Sequence, residues 1–140
     1  MNIDPAASTS PKPYPSWNPQ VQQVRQDFTT VMTDLSEKQG RLAAYSNNDT
    51  PVGDGWETSL SSTAQLLGNT TVAFSSLFPR ATAVSTQLVG ATVDVAAKAG
   101  RLGAYYMDGT QLGDWTTALQ GPINAVQSAL TVLNQGTQAG

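Results

Sequence analysis

The sequence predicts an all-α fold: an elongated up-down-up-down four-helix bundle made of two duplicated helical hairpins, preceded by an extended Pro-rich N-terminal arm. Three observations predict it. The first is an internal repeat: Asp34-x-x-x-Lys38-x-Gly40-Arg41-Leu42-x-Ala44-Tyr45 recurs 60 positions later as Asp94-x-x-x-Lys98-x-Gly100-Arg101-Leu102-x-Ala104-Tyr105. The echo continues from Thr50, Gly53, Asp54 and Trp56 into Thr110, Gly113, Asp114 and Trp115, with one residue dropped before the Trp. Self-similarity over such a period marks two copies of one supersecondary unit. The second is a seam of apolar residues at alternating spacings of three and four, the pattern of helices packed nearly parallel to one another. The third is punctuation by Gly, Asn, Asp and Pro, which leaves long helices near 25 residues, about 37 Å each at the α-helical rise.

Residues 1–19 form the arm. Pro5, Pro11, Pro13, Pro15 and Pro19 oppose a helix and favour extended geometry. Tyr14 and Trp17 are its candidate partner-binding anchors. Residues 20–135 are assigned to the bundle, 20–78 to the first hairpin and 80–135 to the second, with 136–140 as a tail. The first helix begins near Pro19 or Gln20 and carries Val21, Val24, Phe28, Val31, Leu35, Leu42 and Tyr45 on its seam, which Lys38 and Gln39 interrupt. Asn47, Asn48, Asp49, Pro51, Gly53 and Gly55 end it by supplying turns. Asp54 is placed as the N-cap of the second helix, with Glu57 completing a capping box. That helix presents Trp56, Leu60, Ala64, Leu67, Val72, Phe74, Leu77 and Phe78, and Pro79 closes it. The third helix repeats the seam with Ala81, Val84, Leu88, Ala91, Val95, Leu102 and Tyr105, before a turn at Asp108, Gly109 and Gly113. Asp114 is placed as the cap of the fourth, which presents Trp115, Leu119, Ile123, Val126, Leu130 and Leu133. Gly121-Pro122 is expected to kink or restart it, because Pro removes a backbone donor and crowds the preceding turn.

The repeated residues each admit two readings. Asp34 with Lys38, and Asp94 with Lys98, are i,i+4 pairs in the favourable order, either on a solvated face or as an ion-pair layer within the bundle. Gly40 and Gly100 sit mid-helix, where Gly costs up to about 1 kcal/mol against Ala. Together with Gly103, Ala44 and Ala104 they suggest a tight crossing of helices one and three or, second, a ligand approaching the backbone there. Arg41 and Arg101 lie one turn from the loops that hold Asp54 and Asp114. They read as latches onto those loops or, alternatively, as a two-arginine anion site. Trp56 and Trp115 read as plugs for the ends of the core or as aromatic anchors for a partner.

Composition then narrows the function. Charged residues are 12% of the chain, about half the usual share. The net charge of −3 offers no field to nucleic acid or to an anionic membrane. There is no Cys and no His, so thiolate ligands, imidazole ligands and the commonest general base are missing. No Gly-rich phosphate loop or nucleophile motif occurs. The expected protein is therefore not an enzyme, holds no cofactor and no metal, and binds neither nucleic acid nor membrane. No signal-peptide pattern opens the chain, which places it in a virion or otherwise in the cytoplasm. The expected role is a structural or interaction protein of a larger assembly, a bacteriophage virion component such as a minor capsid, decoration or connector protein, anchored through the arm. Its partners would be other protein subunits, a capsid protein among them, with homo-oligomerisation open. The alternative is a secreted helical effector or filament subunit exported by a dedicated system. A small-ligand carrier with a cavity near Gly40, Gly100 and the arginines ranks third.

Overall fold

A computed structural model describes residues 18–48, 50–111 and 113–135; Tyr14 and Trp17 lie outside them. The described residues form four helices and no strand: α1 (Pro19–Asn47), α2 (Trp56–Leu77), α3 (Thr82–Asp108) and α4 (Gln120–Gln135). Each helix packs on two neighbours in a closed ring, α1 on α2, α2 on α3, α3 on α4 and α4 on α1. Contacts fix the directions. Tyr45 meets Trp56 while Phe28 meets Phe74, so α1 and α2 are antiparallel. The Ser75 and Ser85 hydroxyls lie 3.0 Å apart and Gly68 faces Thr92, so α2 and α3 are antiparallel as well. Asp34 with Thr63 joins the first pair midway.

Local chemistry explains the helix starts. Asn18 caps α1: its Oδ1 accepts from Gln20 N at 2.8 Å and Val21 N at 3.4 Å, and Pro19 stands at the first helical position, where its missing N–H is harmless. Asp54 does not cap α2. Gly55, the residue without a counterpart in the second loop, takes that position at φ 89° with no side-chain cap, and so moves Asp54 one residue too far back. Asp114 does not cap α4 either. Residues 115–119 form tight turns, with Ala118 N donating to Trp115 O and Gln120 N to Thr117 O, and the helix begins only at Gln120. Pro122 explains the delay, because the first turn is where its ring and lost donor do no damage. The restart expected at Gly121-Pro122 is thus met by a late start.

That shortened α4 is held at both ends by α1. At its start, Leu119 N donates to Gln39 Oε1 at 2.8 Å, and Gln39 Nε2 donates to Gln120 Oε1 at 3.1 Å. At its far end, Arg25 Nη2 donates to Leu133 O at 3.2 Å, a cation on carbonyls that lack helical partners. Gln39 breaks the apolar seam of α1 because it caps a neighbouring helix.

The core follows the seam. Val21, Phe28, Val31, Leu35 and Leu42 from α1, Leu60, Leu67 and Phe74 from α2, Leu88, Val95 and Leu102 from α3, and Val126, Ala129 and Leu133 from α4 are fully buried. Val72, assigned to the core from its spacing, instead points outward, while Thr70 and Thr71 turn in. Both threonines satisfy their hydroxyls on the helix itself, donating to Leu66 O at 2.7 Å and Leu67 O at 2.8 Å. The tight crossing expected of α1 and α3 does not form: they lie diagonally across the bundle, and a Cβ at Gly40 or Gly100 would meet nothing within 4 Å. The most extensive pairing is α2 with α3, where Gly103 leaves room for Glu57 and Gly68 for the Thr92 methyl.

Candidate interaction face

The repeated residues converge at the end of the bundle that carries both long connections. In the first half, the Arg41 guanidinium lies 4.7 Å from the Trp56 ring centroid, and Tyr45 meets that ring edge-on at 6.1 Å. In the second, Arg101 lies 5.1 Å from Trp115, and Tyr105 meets it edge-on at 5.9 Å. Both indoles are buried. The arginines therefore latch onto the tryptophans and not onto Asp54 or Asp114, because the ring face offers a cation a site it can occupy while staying hydrated on its other side. The two connections also touch. Pro51 and Gln111 form an isolated antiparallel bridge, and Trp115 N donates to Ser46 Oγ at 3.0 Å.

Asp114 is fully exposed. The Thr116 hydroxyl at 2.8 Å and the Thr116 amide at 3.2 Å hold its carboxyl below the usual value of 3.8. A depressed carboxyl stabilises the fold above the usual value and ceases to do so as pH falls through its lower folded value.

The two ion pairs are more enclosed than a solvated face. Lys38 is buried and donates to Asp34, whose other oxygen accepts from Thr63 of α2. Lys98 donates to Asp94 at the corresponding place on α3, where the pair is more open, with side chains 16% and 40% exposed. The side chains of Lys38 and Asp34 are 10% and 31% exposed, and this asymmetry decides what removal does. Asp34→Ala strands an ammonium with little access to water, at an expected cost of about 1–3 kcal/mol. Lys38→Met leaves a carboxylate that keeps Thr63 and some solvent, and is expected to be close to neutral. Urea unfolding of both variants checks the order; a larger loss for Lys38→Met would contradict it.

Clefts run beside these pairs at corresponding places in the two halves. One of about 410 Å³ lies between α1 and α2, lined by Thr30, Ser59, Ser62, Thr63 and Leu66 with Asp34 and Lys38. The other, about 260 Å³, lies between α3 and α4 beside Asp94, with Gly90, Ala91, Gly121 and Pro122 among its walls. A third, about 160 Å³, sits at the hairpin end among Trp56, Glu57, Leu102, Gly103, Tyr106 and Met107. Gly40, Gly100, Arg41 and Arg101 line none of them. Among the described residues no group of three or more Asp or Glu is placed to hold a metal ion, and no helix is long and apolar enough to cross a membrane.

The outward side of α3 differs in kind from the rest of the surface. Val89, Val93 and Met107 are 56%, 63% and 79% exposed, with Ala96, Ala97, Gly100 and Ala104 exposed between them. On α1 the residues 60 positions earlier, also exposed, are Thr29, Thr33 and Asn47 at the ends, with Ser36, Glu37, Gly40 and Ala44 between. The same register is thus largely polar on one helix and apolar on the other. Val72 of α2, 68% exposed, and Tyr106 extend the apolar side of α3. The stripe lies opposite the buried seam, so the periodicity of the core residues gives no sign of it.

No protein-family model, curated protein or solved structure matches the chain.

Proposed function

We propose that the protein is a non-enzymatic structural and interaction component of a larger assembly, built from two copies of one helical hairpin. A bacteriophage virion is the setting we favour, with residues 1–19 as its anchor. One observation carries the reading: the outward face of α3 is apolar where the matching register of α1 is largely polar. Contiguous apolar surface on an otherwise polar protein suits contact with another protein. The 60-residue repeat and the Arg–Trp–Tyr cluster in each half support the duplicated hairpin. After duplication, one copy keeps a solvated exterior and the other acquires a contact.

The test is sedimentation of the full chain from its native source. Wild type is expected to travel with a large particle. Val93→Glu, which changes an exposed residue and leaves the core alone, is expected to remain in the low-mass fraction, as is a chain lacking residues 1–17. Wild type found only at low mass sinks the reading. The apolar outward face of α3 also suits lateral packing in an exported filament; recovery of uncleaved chain in extracellular fibres would favour that second reading.

A further inference from the structure

We infer that the outward face of α3 is the docking site for a second copy of this chain, α3 against α3, antiparallel about a two-fold axis near Lys98. The inference rests on the assembly reading and names one partner for the face. Its support is that the face is complementary to itself. Val89 and Met107 lie nine positions either side of residue 98, so a two-fold there sets each valine against the methionine of the second copy. Val93 falls within one residue of the level of the exposed Ala104, large against small, and Ala96 falls opposite Gly100 at the centre. Small residues at the crossing allow helix axes to approach to about 8 Å, the short end of ordinary packing.

Charge agrees with the same axis. Asp94 and Arg101 lie on one flank of α3, the side toward α4, since Asp94 lines the α3–α4 cleft and Arg101 covers Trp115. A two-fold perpendicular to antiparallel helices brings like flanks together. It therefore sets Asp94, four residues before the axis, opposite Arg101 of the second copy, three residues after it, and does so twice. The other flank behaves alike. The Ser75–Ser85 and Gly68–Thr92 contacts put Val72 level with the Val89 end of α3, while Tyr106 stands beside Trp56 at the opposite end. The axis exchanges these ends. All five large apolar side chains exposed among the described residues, Val72, Val89, Val93, Tyr106 and Met107, then enter one interface.

Size sets the expected strength. From Val89 to Met107 the helix rises about 27 Å. With the flanks included the face is about 20 Å wide, so each copy contributes roughly 500 Å² in projection, at the small end of specific interfaces. Self-association is expected in the micromolar range.

Sedimentation equilibrium of the purified full chain, from about 5 to 500 μM, tests this. Wild type is expected to approach twice its 14.7 kDa, and Val93→Glu to stay at 14.7 kDa with unchanged thermal unfolding at low concentration. Val89→Glu and Met107→Lys are each expected to weaken the dimer at least tenfold, and the double variant to recover it, since the axis pairs the new charges across the interface. Wild type monomeric throughout, a dimer indifferent to Val93→Glu, or a double variant no better than the single ones each overturns the inference. A monomeric purified chain whose Val93→Glu variant still drops out of the native particle would overturn the second-copy docking alone and leave the assembly role standing.

Discussion

Replacing Phe74 by Ala is expected to destabilise the bundle by about 3–5 kcal/mol, among the largest effects open to a single side chain. Phe74 is fully buried between Phe28 of α1, at 5.8 Å and edge-on, and Phe78 in the α2–α3 corner, at 5.3 Å. Its removal deletes an aromatic surface shared by three parts of the chain, and helices pinned at both ends cannot collapse into the space. A domain of this size holds a margin of only about 5–15 kcal/mol, so the melting temperature should fall on the order of 10–20 °C. Val72→Ala, two residues away, supplies the control: a residue open to solvent should change stability by about 0.5 kcal/mol or less. Paired urea titrations decide the matter. A loss under about 1 kcal/mol for Phe74→Ala would mean that the aromatic cluster is not the keystone of this end of the core. A Val72→Ala loss equal to that of Phe74→Ala would restore the core role that spacing alone assigns to Val72.

Val72 also marks the limit of what the sequence makes legible. The seams of α1 and α3 could be read residue by residue, because Val21, Phe28, Val31 and Leu35, like Leu88, Val95 and Leu102, follow a single periodicity with little competition. In α2 the Thr-rich stretch hides the turn of the helix. Thr70 and Thr71 look polar in sequence, yet back-bonding to Leu66 and Leu67 makes them cheap to bury, and the apolar Val72 is displaced outward. Helix starts were misplaced by one residue at Asp54 and by several at Asp114. In each case a local device, the positive φ of Gly55 or the ring of Pro122, outranks a generic capping signal.

Long-range partners were the least legible. Nothing in the neighbourhood of Gln39 announces that it will cap α4, some 80 positions away, and nothing near Gly40 shows that α3 lies diagonally opposite. The arginines illustrate the same gap at short range. Arg41 and Arg101 read as latches onto their loops, but the spacing does not say which group receives them: both aspartates face water, and each guanidinium lies over an indole. The apolar exterior of α3 was present in the sequence all along. It becomes visible only once the structure says which of the repeated positions point outward.

Trp115→Ala is expected to cost as much as Trp56→Ala, about 3–5 kcal/mol, although Trp56 opens a helix and Trp115 stands in an irregular stretch. Burial, not secondary structure, sets the loss: both rings are withdrawn from water, each meets a tyrosine edge-on, and each carries an arginine on its face. The contributions should separate by rank. Arg41→Ala and Arg101→Ala remove exposed cation–π partners, worth about 0.5–1 kcal/mol each. Removing an indole uncovers the end of the core as well. Trp115 has a further duty, since residues 109–119 must bring α4 back against α1, and its amide is fastened to Ser46 on the opposite hairpin. Urea midpoints for the four variants should therefore fall into two groups, tryptophans far below arginines. Should Trp115→Ala lose less than about 1 kcal/mol, the long connection is not anchored through its ring, and Gln39 with Pro122 must fix where α4 begins.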